Sequence, residues 1–297
     1  MPPTQPSAKQ AEPRFNRRQF LKLSLAALCL GPPLYAGLLE RNWIETIHHT
    51  ISSPRVPAAF DGIRIVQISD IHLGHYFDLD RLETVIRQIQ TFQPDLLCFT
   101  GDLIDRHLSQ VEAKEVARLF RRLAPPLGKF ATLGNHDYWG DVALVKEALT
   151  HGGFHVLVNQ VHPLTRGKGT LYVSGLDDLL NGQPDLAAVL SQLPSTTEVY
   201  HLCLAHEPDM AVLHHSAPID LQLSGHSHGG QIRLPFLGAL AIPEGGKRYP
   251  AGLYSLNERF TLYTNRGLGT TILPFRFLCR PEITVLELRR ESSSKKA

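Results

Sequence analysis

The chain has 297 residues, 43% of them hydrophobic and 20% charged, with a net charge of +2. This is the make-up of a globular protein with one sizeable core and room for a small accessory element, not of a disordered chain. Residues 1–41 carry six basic and two acidic side chains, a local +4 that leaves the remainder near −2, which excludes the basic face of a general nucleic-acid binder.

In chain order, residues 1–16 are rich in Pro, Gln and Ala, a composition that favours disorder. Asn16-Arg17-Arg18-Gln19-Phe20-Leu21-Lys22 follows, then a mostly apolar run over 23–39. Paired arginines with Phe and Leu ahead of a moderately apolar segment resemble a twin-arginine export signal. The run is interrupted by Gly31-Pro32-Pro33 and is shorter than the roughly 20 residues a spanning helix needs. No clean Ala-x-Ala cleavage site follows, and Leu28 before Cys29 does not suit a lipoprotein. Residues 1–41 are therefore expected to address the chain to the export machinery or to remain as a membrane anchor. The alternative is a short amphipathic arm on a cytoplasmic enzyme.

A single domain is expected over 42–290, with a polar tail over 291–297. Apolar runs predict strands at 63–69, 96–100, 129–133, 155–158, 171–175, 200–205 and 221–224. Helical periodicity marks 79–91, with Asp78 as N-cap, then 112–123, and 142–151 closed by Gly152-Gly153. Segments 252–255, 260–264 and 283–288 read as antiparallel strands. Cys98 and Cys203 fall inside predicted strands, and no CxxC pair suggests a thiolate site or a disulfide framework.

Five clusters punctuate this pattern: Asp70-Ile71-His72, Gly101-Asp102-Leu103-Ile104-Asp105, Gly134-Asn135-His136-Asp137, Ala205-His206-Glu207 and Gly225-His226-Ser227-His228. Carboxylate, amide carbonyl and imidazole are metal-ligand types, and the clusters stand just past predicted strand ends, where open α/β sheets place their sites. A pair of divalent ions held there suits phosphoester hydrolysis.

These clusters, in this order over about 63–288, resemble the calcineurin-like metallophosphoesterases, and within them the bacterial YkuE-like branch. The resemblance implies a four-layer α/β/β/α sandwich. It implies one divalent ion (Mn, Fe or Zn) on Asp70, His72, Asp102 and His228, a second on Asp102, Asn135, His206 and His226, and Asp102 as the bridge. It further implies in-line attack by a metal-bridging hydroxide. His136 would be the catalytic histidine at the departing oxygen, oriented by Asp105, with Asp137 the weaker choice for that role. Two departures narrow the subfamily. His107 stands where protein Ser/Thr phosphatases carry Gly after Asp-Arg, and Asp105 stands where purple acid phosphatases carry a Tyr ligand. His48, His49, His151, His155, His162, His214 and His215 lie outside the clusters and read as solvent or loop histidines.

Substrate contacts are expected from two glycine loops. Gly229 lets the backbone approach a ligand or makes a tight turn. Arg266, in Asn265-Arg266-Gly267-Leu268-Gly269, offers a phosphate fork or an exposed turn residue. The uncharged stretches 234–242 and 270–275 are either core or exposed apolar loops suited to a lipid-linked phosphoester. The resemblance thus implies a phosphodiesterase, exported or membrane-associated. Its alternatives are a pyrophosphatase of the UDP-2,3-diacylglucosamine type in lipid A biosynthesis, on the cytoplasmic membrane face, and a non-catalytic metal-binding scaffold.

Overall fold

A computed structural model describes residues 16–196 and 198–291. The disorder expected for 1–15 and the polar tail beyond 291 lie outside these residues. The chain opens on helix α1 (Arg17–Leu34), capped by Asn16, whose Oδ1 accepts the Gln19 N–H at 2.8 Å. Pro32 and Pro33 do not interrupt it, contrary to expectation: the helix runs on through a π-helical turn (Tyr35–Leu39) and a 3₁₀ turn (Glu40–Asn42). The wider register absorbs the backbone bonds that the prolines cannot make. With these turns the segment is 26 residues, long and apolar enough to cross a membrane.

Then come β1 (Glu45–Ser53), β2 (Ile63–Ile68), α2 (Leu79–Phe92), β3 (Leu96–Thr100), α3 (Gln110–Phe120), β4 (Lys129–Thr132), α4 (Asn135–Trp139), α5 (Val142–His151) and β5 (Phe154–Val156). The second half contains β6 (Gln160–Arg166), β7 (Gly169–Gly175), α6 (Leu186–Ser191), β8 (His201–Leu204), β9 (Leu221–Ser224), β10 (Arg233–Leu234), β11 (Gly238–Ala239), β12 (Gly252–Ser255), β13 (Thr261–Thr264) and β14 (Glu282–Arg290). Two six-stranded sheets form, ordered β1-β14-β2-β3-β4-β5 and β12-β13-β9-β8-β7-β6. Neighbours from β2 to β5 and from β7 through β8 and β9 to β13 are parallel. The three late strands are not uniformly antiparallel as expected: β13 joins β9 in parallel, and β14 runs antiparallel to β2 but parallel to β1.

The period-two alternation of strand side chains divides the core. On β3, Leu96 and Cys98 face the second sheet, where they meet Leu171, Val173, Leu202 and Leu223, while Leu97 and Phe99 face the helices. Helix α2 answers with Leu82, Val85, Ile86 and Ile89, one stripe at helical spacing. Lys129, buried at the start of β4, donates to the carbonyls of Phe120 (2.8 Å), Leu123 (2.9 Å) and Gly152 (2.5 Å), joining the ends of α3 and α5. The outer face of the second sheet is covered by α6 and the turn Pro208–Val212, with Val189, Met210 and Ala211 over Cys203 and Leu262. The layers are therefore helix, sheet, sheet and a thin fourth layer.

Several histidines depart from the solvent or loop setting expected of them. His48 and His49 are on β1, His155 and His162 pack against Phe130 with centroids at 5.1 Å, and His214 is buried beside Gln222. All five metal-type clusters follow the C-terminal ends of parallel strands: β2, β3 and β4 in one sheet, β8 and β9 in the other. Parallel direction brings these ends to one edge of the sandwich, between the sheets.

Candidate metal centre

The loops leaving these strands turn sharply. Asp70 (φ 49°), His72 (49°), Asp102 (58°), His226 (66°) and His228 (50°) all adopt the left-handed region. Each such residue costs about 1–2 kcal/mol, so the surroundings must hold them there. They do so reciprocally. The Asp70 carboxylate accepts the His226 N–H at 2.9 and 3.0 Å, and Asp102 Oδ1 accepts the His136 N–H at 2.9 Å. The Asp137 carboxylate, fully buried, accepts the main-chain N–H groups of Asp102 (3.0 Å), Leu103 (2.8 Å) and Gly134 (3.0 Å). Burial and the neighbouring Asp102 push Asp137 up to about 7.

Within this frame the donor atoms converge. His72 Nε2 and His228 Nε2 are 2.9 Å apart, and Asp70 Oδ1 is 4.0 and 3.6 Å from them. On the other side His226 Nδ1 lies 3.1 Å from Asn135 Oδ1 and 3.3 Å from His206 Nε2. Asp102 Oδ2 stands between the two groups, 3.6 Å from His72 Nε2 and 3.2 Å from His206 Nε2. Asp70, His72 and His228 form one cluster that could hold a metal ion; Asp102, His206 and His226 form another. All seven expected ligands are thus gathered, and all are buried.

Tautomers test whether this set fits a cation. His206 Nδ1 donates to the Thr100 carbonyl at 2.6 Å, and His226 Nε2 donates to the Glu244 carbonyl at 2.7 Å. With Nδ1 of His206 and Nε2 of His226 committed to those carbonyls, His206 Nε2 and His226 Nδ1 face each other and need either a proton or a metal cation between them. Burial opposes a charge on His206, but Asp102 and Asp70 hold it well above the ordinary imidazole range, so the gap is a site for positive charge, and the outward carbonyls are the supports that metal-binding imidazoles use. Burial and the neighbouring His206 push His226 down to about 4, and burial with His72 and Arg276 holds His228 well below the ordinary range, so both rings are neutral near pH 7. Burial opposes a charge on Asp102, yet His206 and His72 hold its carboxyl below the usual carboxylate range. The residues fit divalent ions bound through oxygen and nitrogen.

His136 lies at the rim, its ring 4.5 Å from that of His72 and 4.2 Å from that of Trp139. Its Nδ1 donates to the main-chain carbonyl of Asp105 at 2.6 Å; the Asp105 carboxylate is farther, 3.5 Å from that nitrogen and 3.7 Å from His72 Nδ1. Asp105 does lie beside His136, but its closest support is a peptide oxygen. Asp137 is committed to the loop backbone instead. Burial keeps His136 below the ordinary imidazole range.

Arg266 does not provide the free phosphate fork expected of it. Its Nε is paired with Glu282 and a terminal nitrogen with Glu45 (2.9 Å), so the guanidinium joins β14 to β1. Gly229 (φ 60°) forms a buried turn: a Cβ there would meet Cys279 Sγ at 2.8 Å and Arg266 Cγ at 2.9 Å. Two further side chains stand beside the centre. Arg276, wholly buried, donates to the carbonyls of Arg266 (2.8 Å) and Gly269 (2.7 Å) and lies 3.3 Å from His228 Nδ1; no sequence signal marks it. Trp139, half exposed, donates from its indole to Asn181 at 3.2 Å. Its i+3 spacing from His136 on a helix was the available clue.

A buried oxygen and imidazole donor set at the facing ends of two parallel-rich sheets defines a metal-dependent hydrolase. The calcineurin-like phosphoesterase family profile matches residues 63–230, and the chain belongs to that family of phosphoester-cleaving enzymes, which use divalent metals. It is 44% identical to an uncharacterized metallophosphoesterase of Bacillus subtilis, YkuE, over 93% of this chain and 98% of that one. Phosphodiesterase YaeI of Escherichia coli is 33% identical over 92% of this chain and 99% of its own length. UDP-2,3-diacylglucosamine pyrophosphatase LpxG of Chlamydia trachomatis is 32% identical over 89% and 95% respectively.

Proposed function

We propose that the protein is a phosphodiesterase that works with two divalent cations, Mn, Fe or Zn. The observation that carries this reading is the position of Asp102 Oδ2, within 3.6 Å of an imidazole nitrogen from either donor group, so that one carboxylate can serve two ions. Asp70, His72 and His228 would complete one coordination set and Asn135, His206 and His226 the other. When bound, such a pair neutralises phosphoryl oxygens and lowers the pKa of a coordinated water. The chain's own residues do the rest. The left-handed turns fix the donors before substrate arrives, which lowers the reorganisation needed at the moment of reaction. His136, with Nδ1 donating to the Asp105 carbonyl, presents Nε2 as an acceptor toward the centre; it would protonate the departing oxygen only after taking up a proton there, as an imidazolium.

The test is direct. The full chain, stripped of metal and reloaded with Mn, Zn or Fe, is assayed on bis-p-nitrophenyl phosphate beside p-nitrophenyl phosphate. The expected result is metal-dependent turnover favouring the diester, with His136→Ala lowering kcat by about 10²–10⁴-fold. Full activity in His136→Ala would remove that residue from the chemistry. No turnover with two metals bound would favour a non-catalytic scaffold.

We also read α1 as a membrane anchor preceded by a twin-arginine-type address. The helix buries none of its residues, as an apolar helix meant for lipid would not. A lipid-linked pyrophosphate is the second substrate reading, supported by the printed name of the LpxG relative and by the exposure of Phe236, Leu237 and Ile272. A reporter fused after Arg41 would separate the two by the side of the membrane it faces, since a nucleotide-linked lipid would be met at the cytoplasmic face.

A further inference from the structure

None of the apolar side chains of 234–242 or 270–275 is in the buried core. Phe236 and Leu237, at the tip of the β10–β11 hairpin, and Ile272 and Leu273, on the neighbouring loop, point outward, with Phe236 wholly exposed and Ile272 87% exposed. Phe236 (φ 66°) and Ile272 (φ 63°) also hold left-handed backbone, which a β-branched residue such as Ile rarely adopts. Strain and exposure together at apolar tips point to a role outside the folded domain.

The two tips form one surface. Gln231 ties them: its amide donates to the carbonyls of Thr271 and Leu273, both at 3.0 Å, and its oxygen accepts the Thr271 N–H. Arg233 N–H bonds the Phe277 carbonyl at 2.8 Å. The foot of the apolar N-terminal segment stands on the same loop. The Arg276 N–H bonds the Ala36 carbonyl at 3.1 Å, Tyr35 packs edge-on against Phe277 at 6.3 Å, and the Phe275 ring lies against Gly37. Just after that foot, exposed Trp43 carries the Arg280 guanidinium over its ring at 3.7 Å, an aromatic–basic pair of the kind that sits at lipid headgroups. No carboxylate occurs between Gln231 and Pro243 or between Thr264 and Pro281, while Arg233 and Arg280 do.

We propose that these two loop tips insert into the interfacial region of the bilayer that holds α1, so that the domain lies on the membrane by a second, independent contact. The inference rests on reading α1 as an anchor and deepens the proposed function. The hairpin begins three residues after the His228-Gly229-Gly230 turn, so the contact sets the metal centre beside the lipid surface and favours phosphoesters carried on lipids. The absence of acids, with Arg233 and Arg280 at the edge, suits an anionic headgroup layer.

The test uses the full chain with Cys29→Ser, so that the remaining cysteines are buried. Single cysteines replacing Leu237, Ile272 or Lys168 are labelled with an environment-sensitive dye. Lys168 lies in the β6–β7 turn, at the start of β7 and so at the end of the sandwich away from the metal centre. Each protein is reconstituted in phosphatidylethanolamine–phosphatidylglycerol vesicles carrying a nitroxide lipid. The expected result is a blue shift and loss of about half the emission at 237 and 272, with neither at 168. Flotation with vesicles but water-like, unquenched labels at 237 or 272 overturns the inference and leaves the anchor standing. Failure to float overturns both. A blue shift without lipid quenching puts the tips against protein instead of lipid and also overturns it. Phe236→Cys and Leu240→Cys repeat the measurement should a label disturb either site. The readout is position, not turnover, so it stands apart from the phosphodiesterase assay.

Discussion

Gly225 lacks a side chain for a steric reason: a Cβ there would collide with Ser69 Oγ and Asp70 Oδ2. Gly134 is in the same position against Asp102 Oδ1. These glycines let the main chain of one cluster close on the carboxylate of another. Gly225→Ala is therefore expected to push the Asp70 carboxylate off the His226 N–H, lower stability by about 1–3 kcal/mol and reduce bound metal. Thermal melting with metal analysis checks this, and an alanine variant retaining both would count against the bracing. The side-chain donors themselves were legible in sequence because Asp, Asn and His are ligand types. The carbonyls of Thr100, Asp105 and Glu244, which aim three of the imidazoles, were not, since every residue has a carbonyl and only folding chooses which one points inward. That the Arg266 guanidinium is already paired, and that Gly229 takes the tight-turn alternative, are hidden in the sequence for a similar reason. A motif letter does not say whether a neighbour such as Glu282 or Cys279 already occupies the group.

Elements with clear periodicity and chemical caps were readable. Asp78 caps α2 as expected, and Gly153 at φ 90° follows the end of α5; α3, expected over 112–123, runs Gln110–Phe120, starting from a Ser109 cap that the expectation omits. Strand β1 escaped because Glu-Thr-Ile-His-His-Thr-Ile-Ser-Ser is polar and sits at a sheet edge, where its place depends on β14, more than 230 residues later. Strand β8 carries a testable electrostatic feature. His201 is fully buried, with Nε2 2.7 Å from Ser174 Oγ and Nδ1 3.3 Å from the Pro218 carbonyl. Burial pushes it down to about 4, against 6.5 for an ordinary histidine. Between those values the unfolded chain binds a proton that the folded chain refuses, so stability rises with pH there. The contribution is present in full above 6.5 and is lost as pH falls through 4, amounting to roughly 3 kcal/mol. Urea unfolding from pH 7 to 4.5 is expected to show a shallower acid decline in His201→Gln than in the parent. Equal slopes would mean that His201 takes up its proton within the fold.

At the scale of the molecule, the parallel strands carry every donor loop to one edge of the sandwich, and the foot of α1 meets the loop that Arg276 joins to His228. The layering was implied by the family resemblance and supported by the succession of strands and helices, but the thinness of the fourth layer was not, because short helices such as α6 leave little periodic trace. Strand β14 lies between β1 and β2, so the first strand of the domain is held in the first sheet by the last. A chain ending before residue 282 would leave β1 without a partner and strip Ile283, Leu286 and Leu288 from both cores. It is expected to lose its near-ultraviolet signal and to be cut rapidly by protease, and a protected truncated chain would refute this. Such long-range closure places the domain among slow, late folders. As the polypeptide emerges from the ribosome, β1 and the adjoining edge of β2 must wait, unsealed, for residues 282–290. An open strand edge held through synthesis is a template for wrong pairing, so the nascent chain is expected to aggregate more readily than the finished one.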